Sequence, residues 1–426
     1  GCSLEIEVLG RSRLGTLDLA HRIVRMLRSR VIRGHFTLRT NGRVERFAAV
    51  VAHRGPAPLS PGELAGVIGW PVGSPSLPNL ELGTAPQLAA DSSIPYEGEG
   101  RRVGTSTWPG KEDRQLVQPP EGALSHALVV GPTGSGKSTL MVEMAADDLR
   151  EGRGLVLIDL KGDTAEDVLA RVPEHRAGEV IVLDPAAGLA VPGLRVLGGT
   201  DPELAADQLL TTFKGIFTDS WGVRSDQYLR LGFVTLAHDP EATLADLGFL
   251  FSDASFRRRM TGNLEDPMLT AAWASYEAMK PAEQSQHLAS PLRKVNEVIG
   301  RRVVRAVLAQ TKPRFDMNQV LAKGQVVVVS LSPGRLGGPA ATLIGALVIY
   351  EIYKAVLARQ TVPQMAREPF GLYIDEPKLL TQGTPLPLDS MFELFRGLGV
   401  GITLAAQSIG QLGRDLQKAA VSNSGT

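Results

Sequence analysis

Cysteine is almost missing from this chain. One residue in 426, Cys2, excludes a disulfide framework and a cysteine zinc site, and it fits a reducing compartment. Net charge is missing as well. The 45 Lys and Arg balance the 45 Asp and Glu, so no global field draws in nucleic acid, and any such contact must come from local basic clusters. The seven histidines (His21, His35, His53, His126, His175, His238, His287) are scattered without metal-ligand spacing. No uninterrupted apolar run is long enough to cross a membrane. The best candidate, Thr342 to Ala358, contains Glu351, Lys354 and two tyrosines, and reads as a buried core helix. There is no internal repeat and no low-complexity tract. The chain starts at Gly1 rather than Met and stops at Asn423-Ser424-Gly425-Thr426 without a closing element, so we expect a fragment trimmed at both ends.

What is present is organised around Gly131-Pro132-Thr133-Gly134-Ser135-Gly136-Lys137-Ser138. The apolar run Ala127 to Val130 precedes it. A helical pattern follows, with Leu140, Met141, Met144 and Ala145 on one face. Strand, glycine-rich loop and helix make this a phosphate-binding loop rather than a chance match. Glycines let successive N–H groups turn inward as an anion nest, and the helix N-terminus aims its dipole at the same point. Lys137 is placed to reach the β- and γ-phosphates and the Ser138 hydroxyl to ligate Mg²⁺, with Thr139 completing the binding stretch.

The length calls for two or three domains. Residues 1–120 read as a basic α+β region, partly loop. Strand-like runs lie at Leu4–Leu9, Phe36–Leu38 and Phe47–Ala52, with Asn41-Gly42 as a hairpin signal, and a helix is expected at His21–Val31. In its first sixty residues eleven arginines stand against four carboxylates, which suits either a nucleic-acid or acidic-lipid contact or a solvated helix. Residues 121–200 open an α/β core, with strands Leu155–Asp159 and Val180–Asp184. Residues 201–312 form an all-helical insertion carrying the basic clusters Arg257-Arg258-Arg259 and Arg301-Arg302 with Arg305. Residues 313–426 complete the core with runs at Gln325–Leu331, Phe370–Asp375 and Val400–Ala405. Continuous apolar strands separated by helices imply a mostly parallel sheet covered on both faces.

A phosphate loop needs an acidic partner at another strand tip. Asp375 ends an apolar run and is the candidate Mg²⁺ ligand. Glu376 follows and is the candidate general base for an attacking water. That pair favours a hydrolase over a simple nucleotide kinase or a switch GTPase. No guanine-reading Asn-Lys-x-Asp occurs, which favours ATP. Gln407, just past the next strand, is a candidate γ-phosphate sensor. Arg396 and, more weakly, Arg224 are candidates for an arginine supplied to a neighbouring subunit. Asp159-Leu160-Lys161-Gly162-Asp163 places charges beside the crevice and reads as structural or coupling rather than catalytic.

Taken in order, GPTGSGKST, DLKGD, VLDP, SWGVR, VVVVSLS, LYIDEP and RGLGVGITLAAQS make residues from about Ser125 onward resemble the coupling-protein ATPases of conjugative DNA transfer and type IV secretion (TraG/TraD-like) in the FtsK/HerA superfamily. After VLDP the family usually shows Asn-Pro-Leu, where this chain reads Pro192-Gly193-Leu194-Arg195. The resemblance implies a RecA-like P-loop core with an inserted helical domain, and a homo-hexameric ring with ATP at its interfaces. It implies that Arg396 acts in trans, and that single- or double-stranded DNA is moved through the channel. It further implies relaxase or secretion-channel partners, and a cytoplasmic position at the inner face of the membrane, with membrane association only through segments outside this chain. The alternatives are a soluble HerA-like helicase or translocase of DNA repair, a protein-only secretion ATPase, and a nucleotide-gated scaffold that hardly turns over.

Overall fold

A computed structural model describes residues 5–10, 18, 35–41, 47–54 and 100–424, the last span without 107–113, 120–121, 123, 189–190, 198–200, 263, 313–315 and 382–385. The expected helix at His21–Val31 and most of the loop-rich stretch before residue 100 lie outside the described residues. The chain divides into two units, Gly1–Gln87 and Leu88–Thr426.

In the first unit, β1 (Glu5–Gly10), β2 (His35–Asn41) and β3 (Phe47–Arg54) form an antiparallel sheet in the order β1-β3-β2. All three expected strands are there. The Asn41-Gly42 signal is not used as a two-residue turn: Asn41 pairs with Ala48, so the connection is longer.

In the second unit, β4 (Arg101–Thr105) and β5 (Gln115–Gln118) pair as a separate antiparallel ribbon. This ribbon stands with the core although composition grouped it with the first 120 residues. The reason is ionic: Arg101 and Arg102 bind Asp148 and Asp147 of the helix that follows the loop.

The main sheet has six strands in the order β6-β11-β10-β7-β9-β8, every neighbouring pair parallel. They are β6 (Ala127–Val130), β7 (Gly154–Asp159), β8 (Val180–Leu183), β9 (Val326–Ser330), β10 (Phe370–Asp375) and β11 (Val400–Ala406). Alternation along each strand feeds two cores. Leu155, Leu157, Val326, Val328 and Tyr373 meet α1 (Lys137–Arg150) and α2 (Asp163–Leu169) on one face. Val156, Ile158, Val327, Val329, Leu372 and Ile374 join the larger core on the other. That second face carries the helix Gly338–Ala358. The span Gly338–Thr361 is apolar enough to cross a membrane by composition, yet 78% of its apolar 18-residue window is buried in the protein, as befits a core helix.

Between β8 and β9, residues 202–308 contain seven α-helices and, among the described residues, no strand. Asp201, Asp253 and Asp266 cap helix starts, and Phe213, Phe233, Phe251, Trp273 and Tyr276 pack inside. The basic clusters are partly structural. Arg257 is buried and donates to the carbonyls of Leu250 and Phe251, and Arg305 donates to those of Ile299 and Gly300.

His126, just before β6, is fully buried, accepts a hydrogen bond from Ile402 N–H at 3.0 Å and meets the Phe392 ring edge-on. Burial, with Arg396 adding repulsion, pushes its pKa down to about 4. As pH falls below 6.5 the unfolded chain binds a proton that the native chain refuses until about pH 4. Stability therefore drops across that window, by about 3 kcal/mol in all. His126→Asn, which can still accept from Ile402, should lose this slope in urea unfolding curves taken at pH 7, 5.5 and 4.

Candidate nucleotide-binding and hydrolysis site

The sheet order decides what meets what. The loop strand β6 and the acidic strand β10 are not neighbours, because β11 lies between them. All six strands run the same way, so the tips of β6, β11, β10 and β7 open on one crevice, where α/β sheets take ligands.

The loop leaves β6 through Gly131, whose N–H donates to Ala406 O at the tip of β11. Gly136 caps α1 in the left-handed region, at φ 86°, where a side chain would be strained. Lys137 is buried, and its ammonium donates to Pro132 O at 3.0 Å, curled over the loop. Ser138 Oγ donates to Asp375 Oδ2 at 3.0 Å across 237 residues of sequence. Thr164 Oγ1, in the first turn of α2, donates to the same oxygen at 2.7 Å. Asp375 Oδ1 is buried and has no hydrogen-bond partner. Burial pushes this carboxyl above the usual carboxylate range, against the hydrogen bonds from Thr164 and Ser138. A serine hydroxyl and a carboxylate with one orphaned oxygen suit Mg²⁺, which takes one or two protein ligands and completes its shell with water and phosphate. Among the described residues no group of three or more His, Cys, Asp and Glu forms a protein-only metal cage.

Glu376 has the one non-glycine positive φ among the described residues, 55°. Its N–H is tied to Ala405 O at 2.9 Å, and its Oε1 accepts from Lys161 Nζ at 2.8 Å. Burial works against the Lys161 ammonium, but the hydrogen bond to Glu376 and the charges of Glu376, Asp375 and Asp159 outweigh it and hold its pKa above the ordinary value. Sequence reasoning gave Lys161 no part in the chemistry and passed over Thr164. The available signal was a charged turn directly after a strand of the same sheet. Gln407, half-buried, follows the last residue of β11 and so stands at the tip between the loop and the acidic pair.

The two arginines are elsewhere. Arg396 is exposed at the foot of β11, and the seven residues of that strand put roughly 23 Å between it and Gln407. It cannot act on its own chain's loop. Arg224 is exposed in the first turn of the helix Val223–Ala237, near Tyr228, and among the described residues no contact links it to the loop or the acidic pair. A cavity of about 410 Å³ opens between α1 and the β4–β5 ribbon, beside Gly136, Thr139, Leu140 and Glu143 on one side and Arg102, Gly104, Thr105 and Gln115 on the other.

Known proteins resemble this chain in one stretch of sequence and in fold. Residues 96–191 match the family model described as "Type IV secretory system Conjugative DNA transfer". A segment of 72 residues is 32% identical to the type 4 coupling protein DotL of Legionella pneumophila, 17% of this chain and only 8% of that protein's length. In fold, the chain is similar to the bacterial conjugative coupling protein TrwBdeltaN70 (TM-score 0.50, 18% identity, 77% of this chain and 72% of that one). It is also similar to VirB4 of Thermoanaerobacter pseudethanolicus (TM-score 0.50, 15% identity, 77% and 82%). The core is an α/β fold similar to that of these two proteins, and the resemblance to the coupling-protein ATPases holds.

Proposed function

We propose that this chain is the motor part of a conjugative coupling protein: it binds ATP with Mg²⁺ and uses hydrolysis to move DNA. The observation that carries the hydrolytic half is the contact from Ser138 to Asp375, with the orphaned Oδ1 beside it and Glu376 next in sequence. The family match over the loop supports the DNA half.

The backbone N–H groups of residues 133–139 and the Lys137 ammonium hold the triphosphate. Ser138 and Asp375 hold Mg²⁺, which neutralises phosphate charge. The cavity beside Thr139 is in the size range of ligand pockets and takes the nucleoside. Glu376 polarises the water that attacks the γ-phosphorus, and it accepts the proton as the bond to the β-phosphate oxygen breaks. Gln407 orients that water. Arg396, too far from its own loop, serves the site of the next subunit in a homo-hexameric ring, and Arg224 is a weaker candidate for the same task. Such a ring carries single- or double-stranded DNA, works with a relaxase or secretion channel at the inner face of the membrane, and is anchored through segments outside this chain.

The test is ATPase activity with and without DNA. We expect Mg²⁺-dependent turnover that rises with single- or double-stranded DNA, and a fall of about 10²–10³-fold in Lys137→Ala, the scale for losing one preorganised charge donor. Turnover indifferent to both kinds of DNA would overturn the DNA reading and leave the hydrolytic one standing.

A further inference from the structure

We propose that Lys161 is a positioning residue for the hydrolytic carboxylate: its ammonium holds Glu376 in the orientation from which one oxygen can take the proton of a water. The inference rests on the reading of Glu376 as the base and adds a residue to that machinery.

The first support is how rigidly Lys161 is presented. It sits in the turn from β7 to α2, and β7 is the direct neighbour of β10, with Asp159 opposite Asp375. The Asp159 side chain accepts from Lys161 N–H at 2.7 Å and from Ala165 N–H at 2.8 Å, so one buried carboxylate ties both ends of the turn. The Asp159 carbonyl accepts from Leu331 N–H at 2.8 Å, which fastens the turn to β9. Gly162, at φ 111°, closes it in a region that other residues rarely adopt. The stem of Lys161 therefore starts from a fixed point.

The second support is the state of Glu376. A left-handed backbone at a non-glycine residue costs of order 1–2 kcal/mol, and the residue before a proline, here Pro377, is restricted further. Strain at a functional position persists only where surroundings over-determine it. Two contacts do so here: Glu376 N–H to Ala405 O holds the backbone, and Lys161 Nζ to Oε1 holds the side chain. Glu376 is about nine-tenths buried while Lys161 is half-exposed, so the charge-assisted bond is partly shielded from solvent and directional. Lys161 occupies Oε1, which leaves Oε2 as the oxygen to face a water.

The third support is that the same turn also holds the other carboxylate. Three residues on, Thr164 donates to Asp375 Oδ2. One turn thus sets both acidic groups from the β7 side, while Ser138 reaches Asp375 from the loop.

The experiment compares Lys161→Ala, Lys161→Met and Lys161→Arg in the full chain by steady-state ATPase kinetics and by titration with a fluorescent ADP analogue. Ala and Met should lower kcat about tenfold or more, the scale for losing a partner that orients a catalytic ligand, with KM and analogue affinity within about twofold of wild type. Arg, which can still bind a carboxylate oxygen, should keep most of kcat. In single turnover, Lys161→Ala added to Glu376→Gln should cost nothing further, because both act through one group. A wild-type kcat in both Ala and Met, or the same loss with Glu376→Gln present, overturns the proposal. If Glu376→Gln itself turns over normally, it is the base assignment that fails, and the two failures are told apart.

Discussion

Glu376→Gln should lower ATP turnover by about 10²–10⁴-fold while nucleotide affinity stays within a few-fold of wild type. The range is what a positioned general base contributes. The binding half of the expectation follows from where the affinity comes from: the loop amides, Lys137, Ser138 and Asp375 remain, and the Glu376 side chain bonds to Lys161 rather than to any of them. Gln keeps the shape and can still take the Lys161 hydrogen bond through its carbonyl oxygen, so the strained backbone has no new reason to relax. What it loses is the capacity to accept a proton. Fluorescent-nucleotide titration and phosphate release on the same preparation separate the two effects. Normal phosphate release from Glu376→Gln would end the hydrolytic reading of this residue, and a nucleotide-gated scaffold would become the better account.

Asp148→Asn should destabilise the Leu88–Thr426 unit by about 3–5 kcal/mol, the scale for breaking one side of a buried ion pair. Asp148 lies in the last turns of α1 and is fully buried. It accepts from Arg101 Nε at 2.7 Å and Nη2 at 2.6 Å, from Arg153 Nε at 2.9 Å and Nη2 at 2.8 Å, and from Tyr373 OH at 2.7 Å. Asn leaves two guanidiniums, one of them as buried as Asp148, facing a neutral amide. Burial alone would raise the Asp148 pKa, but the guanidiniums of Arg101 and Arg153 and the Tyr373 hydroxyl hold it below the ordinary 3.8. Its contribution is therefore present above pH 3.8 and lost only as pH falls through the lower native value, which lies beneath the His126 window. Urea unfolding at pH 7 measures the loss. A shift under 1 kcal/mol would mean that the arginines find other partners. Because the network pins the β4–β5 ribbon to α1 and reaches Tyr373 two residues before Asp375, the variant should also bind nucleotide less well.

Every strand of the parallel sheet was legible in the sequence, to within a residue or so at either end. A strand buried on both faces must be apolar throughout, and Leu155 to Ile158 or Phe370 to Ile374 can serve in few other ways. The positions of the loop, Asp375, Glu376 and Gln407 at strand tips were legible for a related reason: each follows directly on an apolar run that the sheet buries. The ties between motifs were not. Lys161 and Glu376 are 215 positions apart, and Asp148 and Tyr373 are 225. Periodicity tells which face of an element is buried, never which other element covers it. The same limit explains Arg257: three consecutive arginines read as a basic patch, but one in three points inward on a helix, and there it caps carbonyls. The two-residue turn at Asn41-Gly42 failed because a local signal competes with pairing register, and the pairing of Asn41 with Ala48 prevailed.

The placement of β11 and β10 between β6 and β7 sets an order of assembly. As the chain leaves the ribosome, β6 and β7 are the first strands of the main sheet to be made, but they are not partners and cannot close a sheet on each other. The gap between them must wait for more than two hundred residues, which include β8, the helical insertion, β9 and the Gly338–Ala358 helix, before Phe370 to Ala406 arrives and slots in. Contacts of such high sequence separation form slowly and late. The nascent chain therefore carries a complete phosphate loop, with all its glycines, that lacks the Ala406 carbonyl and the Asp375 carboxylate. Both contacts form only when the last two strands of the sheet arrive. The two open edges of β6 and β7 are also the surfaces on which a folding chain is most exposed to pairing with the wrong strand.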